Sequence, residues 1–302
     1  MAERKDRIDA MGASWLIGFS VLLGLNQAMV KVVNAGLAPV FQSGLRSLFA
    51  LPLVLAFAIV MRRKLAINDG SLPFGIVNGL FFSAEFCLLF LALDYTTVAR
   101  VSLFFYTMPV WVALGAHFLV PGERLHRNKV FGLALAVCGV GLGLSGDLGA
   151  APADAWIGDL LALIGGMFWA GIALITRTRL SMCSAEMNLL YQLAVSSLVL
   201  LALSPLFGDL VRDMTLTIGF IFAAQVVLVV AIGFLVWFWI LSIYPVSNMA
   251  SFGLLTPIFG VLFGWLIFDD PLTLAFIAAI VLVSVGVILV NTEPRKTSPA
   301  QT

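Results

Sequence analysis

The sequence predicts an all-α polytopic membrane protein: ten transmembrane helices, set as two inverted five-helix repeats, with both termini cytoplasmic. Three observations lead there. Hydrophobic residues make up 61% of the 302, charged ones 11%, and mean hydropathy is +1.07, against about 25% charged in soluble domains. A soluble domain of this size still exposes much of its chain and could not hide so much apolar surface. Apolar runs of roughly the 20 residues that a helix needs to cross a bilayer core recur ten times between polar or proline-bearing breaks. Lastly, "LDYTTVARVSLFFYTMPVW" (Leu93 to Trp111) returns 148 residues later as "LSIYPVSNMASFGLLTPIF" (Leu241 to Phe259), with leucine, valine, phenylalanine and proline at the same four places.

The expected spans are 13–33, 39–61, 72–93, 96–120, 127–145, 156–176, 184–206, 215–241, 246–268 and 271–291. Residues 1–12 are polar, and no short apolar core with a cleavage site follows them, so they read as a retained cytoplasmic tail. Residues 292–302 read as a second tail, and no break holds a soluble domain. Arg4, Lys5, Arg7, Arg62, Arg63, Lys64, Arg124, Arg127, Lys129, Arg177, Arg179, Arg295 and Lys296 fall on one side, thirteen of seventeen basic residues. Lys31 and Arg212 fall on the other, while Arg46 and Arg100 lie within spans. Because cytoplasmic loops are enriched in Lys and Arg, the crowded side is cytoplasmic.

Aligning Pro109 with Pro257 places span 4 on span 9, five spans apart. An odd number of spans per repeat turns the second half upside down relative to the first. The repeats are 13–145 and 156–291. The offset is 146 near the start of each half, where Arg46 meets Gln192 and Gln42 meets Asn188, and 147 near the end, where Gly139 meets Gly286. Inverted repeats recur in secondary transporters because two antiparallel halves can exchange conformations.

Other classes find little support. Cys87, Cys138 and Cys183 are an odd number, the first two within apolar runs, which argues against disulfides or a cysteine metal site. No GxxxxGK[ST] appears, so no ATP-driven pump is encoded. His117 and His126 have no metal-ligand company. Neither cofactor nor nucleic acid is implied; the expected partners are the lipid bilayer and a small-molecule substrate, with the protein a monomer or homodimer. A polytopic enzyme acting on lipid-linked substrates would need clustered acids or histidines at one membrane face. A solute channel would need a selectivity filter. Neither feature is found, and both remain the alternatives to a transporter.

"ALDYTTVARVSLFFYTMPVWVALGAHFLVPGERL" (92–125), followed by "GLALAVCGVGL" (132–142), resembles the end of an EamA repeat of the drug/metabolite transporter superfamily. "GLN" (24–26), Arg46 and "FWAG" (168–171) match further family positions, and the likeness covers nearly the whole chain as two copies. The resemblance implies ten helices, a central cavity between the halves and export of small metabolites from the cell membrane, the inner membrane in bacteria. Length and aromatic-rich spans look most like the YddG-type amino acid exporters. One departure stands out: Asp269-Asp270 replaces the usual Gly-Glu before span 10, a change expected to affect only a loop.

Charges inside lipid are costly and tend to face protein or water. Glu85 in span 3 and Arg46 in span 2 lie about 12 Å and 10 Å from the same membrane face at 1.5 Å rise per residue. They read as a gated ion pair, a proton-coupling site or a fixed structural pair. Asn26, Gln27, Asn78, Gln192, Asn248 and Ser251 offer donors and acceptors for a substrate, or serve as bonds between helices, and Glu85 is a cavity candidate beside them. Tyr106, Trp169 and Trp237 can wall an amino acid side chain, or simply pack. Pro52, Pro109 and Pro257 are hinge candidates. Arg100 and Lys31, near span ends, are expected to snorkel.

Overall fold

A computed structural model describes residues 9–120, 125–144, 154–233, 236, 240, 243 and 255–291. Helices follow the expected spans: α1 (Ala10–Asn34), α2 (Pro39–Val60), α3 (Leu72–Tyr95), α4 (Val98–Phe105), α5 (Met108–Leu119), α6 (Arg127–Leu144), α7 (Ala155–Arg179), α8 (Ala185–Leu203), α9 (Leu216–Ala224), α10 (Leu255–Phe268) and α11 (Leu274–Asn291). A short 3-10 turn (Ser204–Phe207) closes α8, and α9 continues as a wider π-helical stretch over Gln225–Ile232. Among the described residues six spans, α4 and α5 counted as one, are long and apolar enough to cross a membrane. Among the described residues there is no strand, only an isolated bridge between Leu37 and Val211.

Lipid offers a free amide no partner, so helix starts must be capped from within the protein. Asp9, Thr97, Ser184 and Thr215 do this, each side chain accepting from the amide three residues on. Pro39, Pro73 and Pro109 stand in first turns, where a missing N–H does no harm. The largest apolar cluster joins α3, α4, α7 and α11 through Phe90, Leu93, Phe104, Phe105, Ala162 and Phe276. The outer faces carry Phe118, Leu198 and Leu274, each at least 73% exposed. A soluble surface would avoid such exposure; these side chains suit acyl tails.

Two sets of contacts come in pairs. On α6 and α11, a Cβ added at Gly132 would lie 2.6 Å from the Gly286 carbonyl oxygen, and one at Gly139 would lie 2.9 Å from that of Ala279. At the 147 offset Gly132 corresponds to Ala279 and Gly139 to Gly286, so exchanging the halves turns the first contact into the second. The helices run antiparallel there. On α2 and α8, the Ala38 amide donates to the Leu210 carbonyl at one end of the bundle. The Ser184 hydroxyl donates to the Lys64 carbonyl at the other. Ala38 and Ser184, Lys64 and Leu210 are equivalent at the 146 offset, and Ala38 and Ser184 are the N-caps of α2 and α8. The second end carries Arg62, Arg63 and Lys64, with Arg63 paired to Glu186 at 2.8 Å; it is called the basic end below.

Candidate functional site

The site is built around the break between α4 and α5. Pro109 lacks an N–H and its ring crowds the carbonyl four residues back, that of Phe105. The helix accordingly stops at Phe105 and restarts at Met108, with Pro109 in the new first turn. Thr107 bridges the gap: its hydroxyl donates to the Phe104 carbonyl at 2.6 Å and accepts from the Trp111 indole at 3.1 Å. The Phe105 carbonyl turns toward α7, where a Cβ on Gly166 would lie 2.7 Å from it. Only glycine permits this approach. Tyr106, at the break, is thereby set against Trp169 of α7, with ring centroids 5.8 Å apart, and Phe105 stacks on the same indole at 5.1 Å.

Glu85 of α3 lies beside this aromatic group: its carbonyl oxygen and the Phe105 ring both approach Gly165 of α7, 3.5 and 3.6 Å from a Cβ built there. Arg46 of α2 lies in the same neighbourhood, each of the two charges acting on the other. Both residues are buried, Arg46 at 5% and Glu85 at 4% exposure. The guanidinium lies over the rings of Phe86 and Phe90, 4.2 and 4.9 Å from their centroids. No hydrogen bond or ion pair within 4.0 Å joins Arg46 to Glu85. Neither charged end is among the enclosed polar atoms that lack a partner.

The amides divide. Gln27 accepts from Ser102 of α4 at 2.6 Å, leaving its own NH2 group and the Asn26 carbonyl oxygen buried without partners. Gln192 is buried on α8 and makes no side-chain hydrogen bond among the described residues. Asn78 lies away from the charged pair, toward the basic end, where it donates to Asn188 at 2.8 Å and Thr176 at 3.2 Å. That arrangement ties α3 to α7 and α8. Pro257 joins Ser102, Tyr106 and Val261 around a small crevice between α4, α10 and α11. Pro52 sits inside α2 without ending it. Trp237, Asn248 and Ser251 lie outside the described residues.

The opposite end of the bundle departs from the snorkelling expectation. Arg100 is 6% exposed. It forms a two-pronged ion pair with Asp159 of α7, Nε donating to Oδ1 at 3.0 Å and Nη2 to Oδ2. Lys31 turns inward to the carbonyls of Leu93 and Thr96. Both side chains find acceptors on neighbouring helices, which satisfies them better than a reach toward headgroups. Arg212 pairs with Asp94 at 2.9 Å, and that bond raises the guanidinium further above its ordinary range. Asp270 also does more than reshape a loop. It is buried and accepts from the Ala99 amide at 2.9 Å, capping α4 from the loop before α11. Burial pushes its carboxyl above the usual value, against the pull of that amide and of Lys31. Asp159 was open to sequence reasoning as an acid inside an apolar span; Gln225, fully buried at the start of the π-helical stretch and bonded to Gln42 at 3.4 Å, was visible only as one more amide.

Long apolar helices, lipid-suited outer faces and polar groups gathered around a broken span describe a multi-pass membrane transporter, since irregular backbone is tolerated at membrane depth where protein or a cavity surrounds it. The family model described as the EamA-like transporter family matches residues 10–144 and again 156–292, and the chain belongs to that family. It is a family of transporters, not enzymes. An uncharacterized transporter of Bacillus subtilis, YvbV, is 28% identical over 289 residues, covering 93% of this chain and 92% of its own length. A probable amino-acid metabolite efflux pump of Escherichia coli is 28% identical over 276 residues, 87% of this chain and 89% of its own. A solved crystal structure aligns with a TM-score of 0.64 over 92% of this chain and 96% of that one at 19% identity, a likeness of fold.

Proposed function

We propose that the protein is a secondary transporter that exports small amphipathic metabolites, amino acids including aromatic ones foremost, by alternating access between two inverted repeats of five spans. The repeats are 13–145 and 156–291, with both termini cytoplasmic. The observation that carries this reading is the pairing of contacts at the 146 and 147 offsets. Contacts that map onto themselves when the halves exchange are ones that two mirrored conformations can share. The α2–α8 and α6–α11 seams therefore serve as a fixed frame, and α1, α3, α4, α7 and α10 move against it. The substrate class is supported by the efflux-pump relative and by opposite charges and aromatic rings at one break. Counterflow of labelled metabolites into proteoliposomes tests it: an amino acid is expected to exchange, and silence from all of them would remove the substrate claim.

A further inference from the structure

Two buried sets of opposite charges within one bundle invite comparison. Arg100 and Asp159 close on each other through two hydrogen bonds, the arrangement that a structural pair needs to offset desolvation. Arg46 and Glu85 are as deeply buried, and Arg46 lies over the ring of Phe86, the residue next to Glu85, yet among the described residues no hydrogen bond or ion pair within 4.0 Å joins the two. The Arg46 guanidinium is held by ring faces, over Phe86 and Phe90, and its N–H edge makes no hydrogen bond among the described residues. A planar fork of donors recognises a carboxylate two-pronged. A carboxylate beside it recognises an ammonium.

We infer that Arg46 and Glu85 together form the binding site for the zwitterion of a free α-amino acid, Arg46 taking its carboxylate and Glu85 its ammonium group. An α-amino acid carries these charges on one carbon, so it can sit between the two side chains and complete both with charge-assisted bonds. Each charge meets its opposite, and no net charge is added to the membrane interior. Phe105, which with the Glu85 carbonyl approaches Gly165, stands with Trp169 and Tyr106 as a wall for the side chain. This deepens the exporter reading and rests on it.

The test uses the unaltered protein first. Labelled L-phenylalanine is counterflowed into proteoliposomes, with unlabelled L-phenylalanine, its methyl ester and 3-phenylpropionate as competitors. The ester lacks the carboxylate and the propionate lacks the amine. Phenylalanine is expected to compete at least about ten-fold better than either, the loss that goes with one charge-assisted hydrogen bond. Arg46→Gln should then erase the preference over the ester and keep that over the propionate, and Glu85→Gln should do the reverse. Analogues that compete within about three-fold of phenylalanine on the unaltered protein would overturn the site and leave the exporter intact. So would variants in which both preferences change together, the behaviour of a fixed structural pair. Absence of counterflow by every amino acid would remove the exporter reading and this one with it. Should the variants fail to fold, the ligand series on the unaltered protein decides alone.

Discussion

At Arg100 an apparently peripheral arginine becomes half of a buried ion pair, and that fixes what its loss does. Asp159→Asn leaves a guanidinium buried without its counter-charge, which costs about 3–5 kcal/mol. Removing both charges, with Arg100→Gln and Asp159→Asn together, should restore most of the loss, because an uncharged pair needs no counter-charge. Thermal unfolding in one detergent, for the single and double variants side by side, checks this. Equal destabilisation of the two would mean that the pair adds nothing beyond its separate contacts. The arginine and the aspartate were each legible in the sequence; their pairing was not. Depth along a span is set by helix rise, whereas which faces meet depends on rotations that a span too apolar to show a polar face does not encode. Arg46 and Glu85 illustrate the same limit. Their shared depth was readable, but their separation and the rings over the guanidinium were not.

Elements were the most legible level. A bilayer demands a nearly unbroken apolar run, so the ends of α1, α2, α3 and α6 fall within three residues of the expected limits. Pro109 announced the break in span 4, although not that Thr107 and Gly166 would accommodate it. The π-helical stretch after α9 had no signal, since "QVVLVVAI" suits any helix. Packing between elements yields a sharp test at the α6–α11 seam. A Cβ at Gly286 would stand 2.6 Å from the Gly132 oxygen and 2.7 Å from the Ala136 nitrogen, both backbone atoms unable to rotate away. Gly286→Leu should cost about 1–3 kcal/mol or more through separation of the helices. Gly141→Leu, on the same seam's α6 but with nothing within 4 Å of its Cβ, should leave stability unchanged or slightly raised, as leucine is the better helix former. Equal melting shifts for the two would refute the close crossing.

For the whole molecule the decisive measurement is sidedness. Single cysteines at positions 66, 126 and 298 should react only from the cytoplasm, and one at position 150 only from outside. An external location for 126 would break both the span count and the inversion. The charge distribution predicts this orientation, with thirteen basic residues on the expected cytoplasmic side against two on the other. The equivalence of the halves was also foreseeable from offsets, but the contacts that obey it at the α2–α8 and α6–α11 seams were not.

The halves are alike in outline and unlike in charge. Arg100 and Asp159 correspond, at offsets of 148 and 146, to Asn248 and Ala13, which cannot form an ion pair. When the halves trade conformations, the bond between α4 and α7 therefore has no image at the basic end. Two mirrored conformations would be equally populated if their contacts were interchangeable; a strong contact available to just one of them tilts the balance, about ten-fold for each 1.4 kcal/mol. Under the alternating-access proposal, the protein at rest is expected to favour the conformation in which this end is tied.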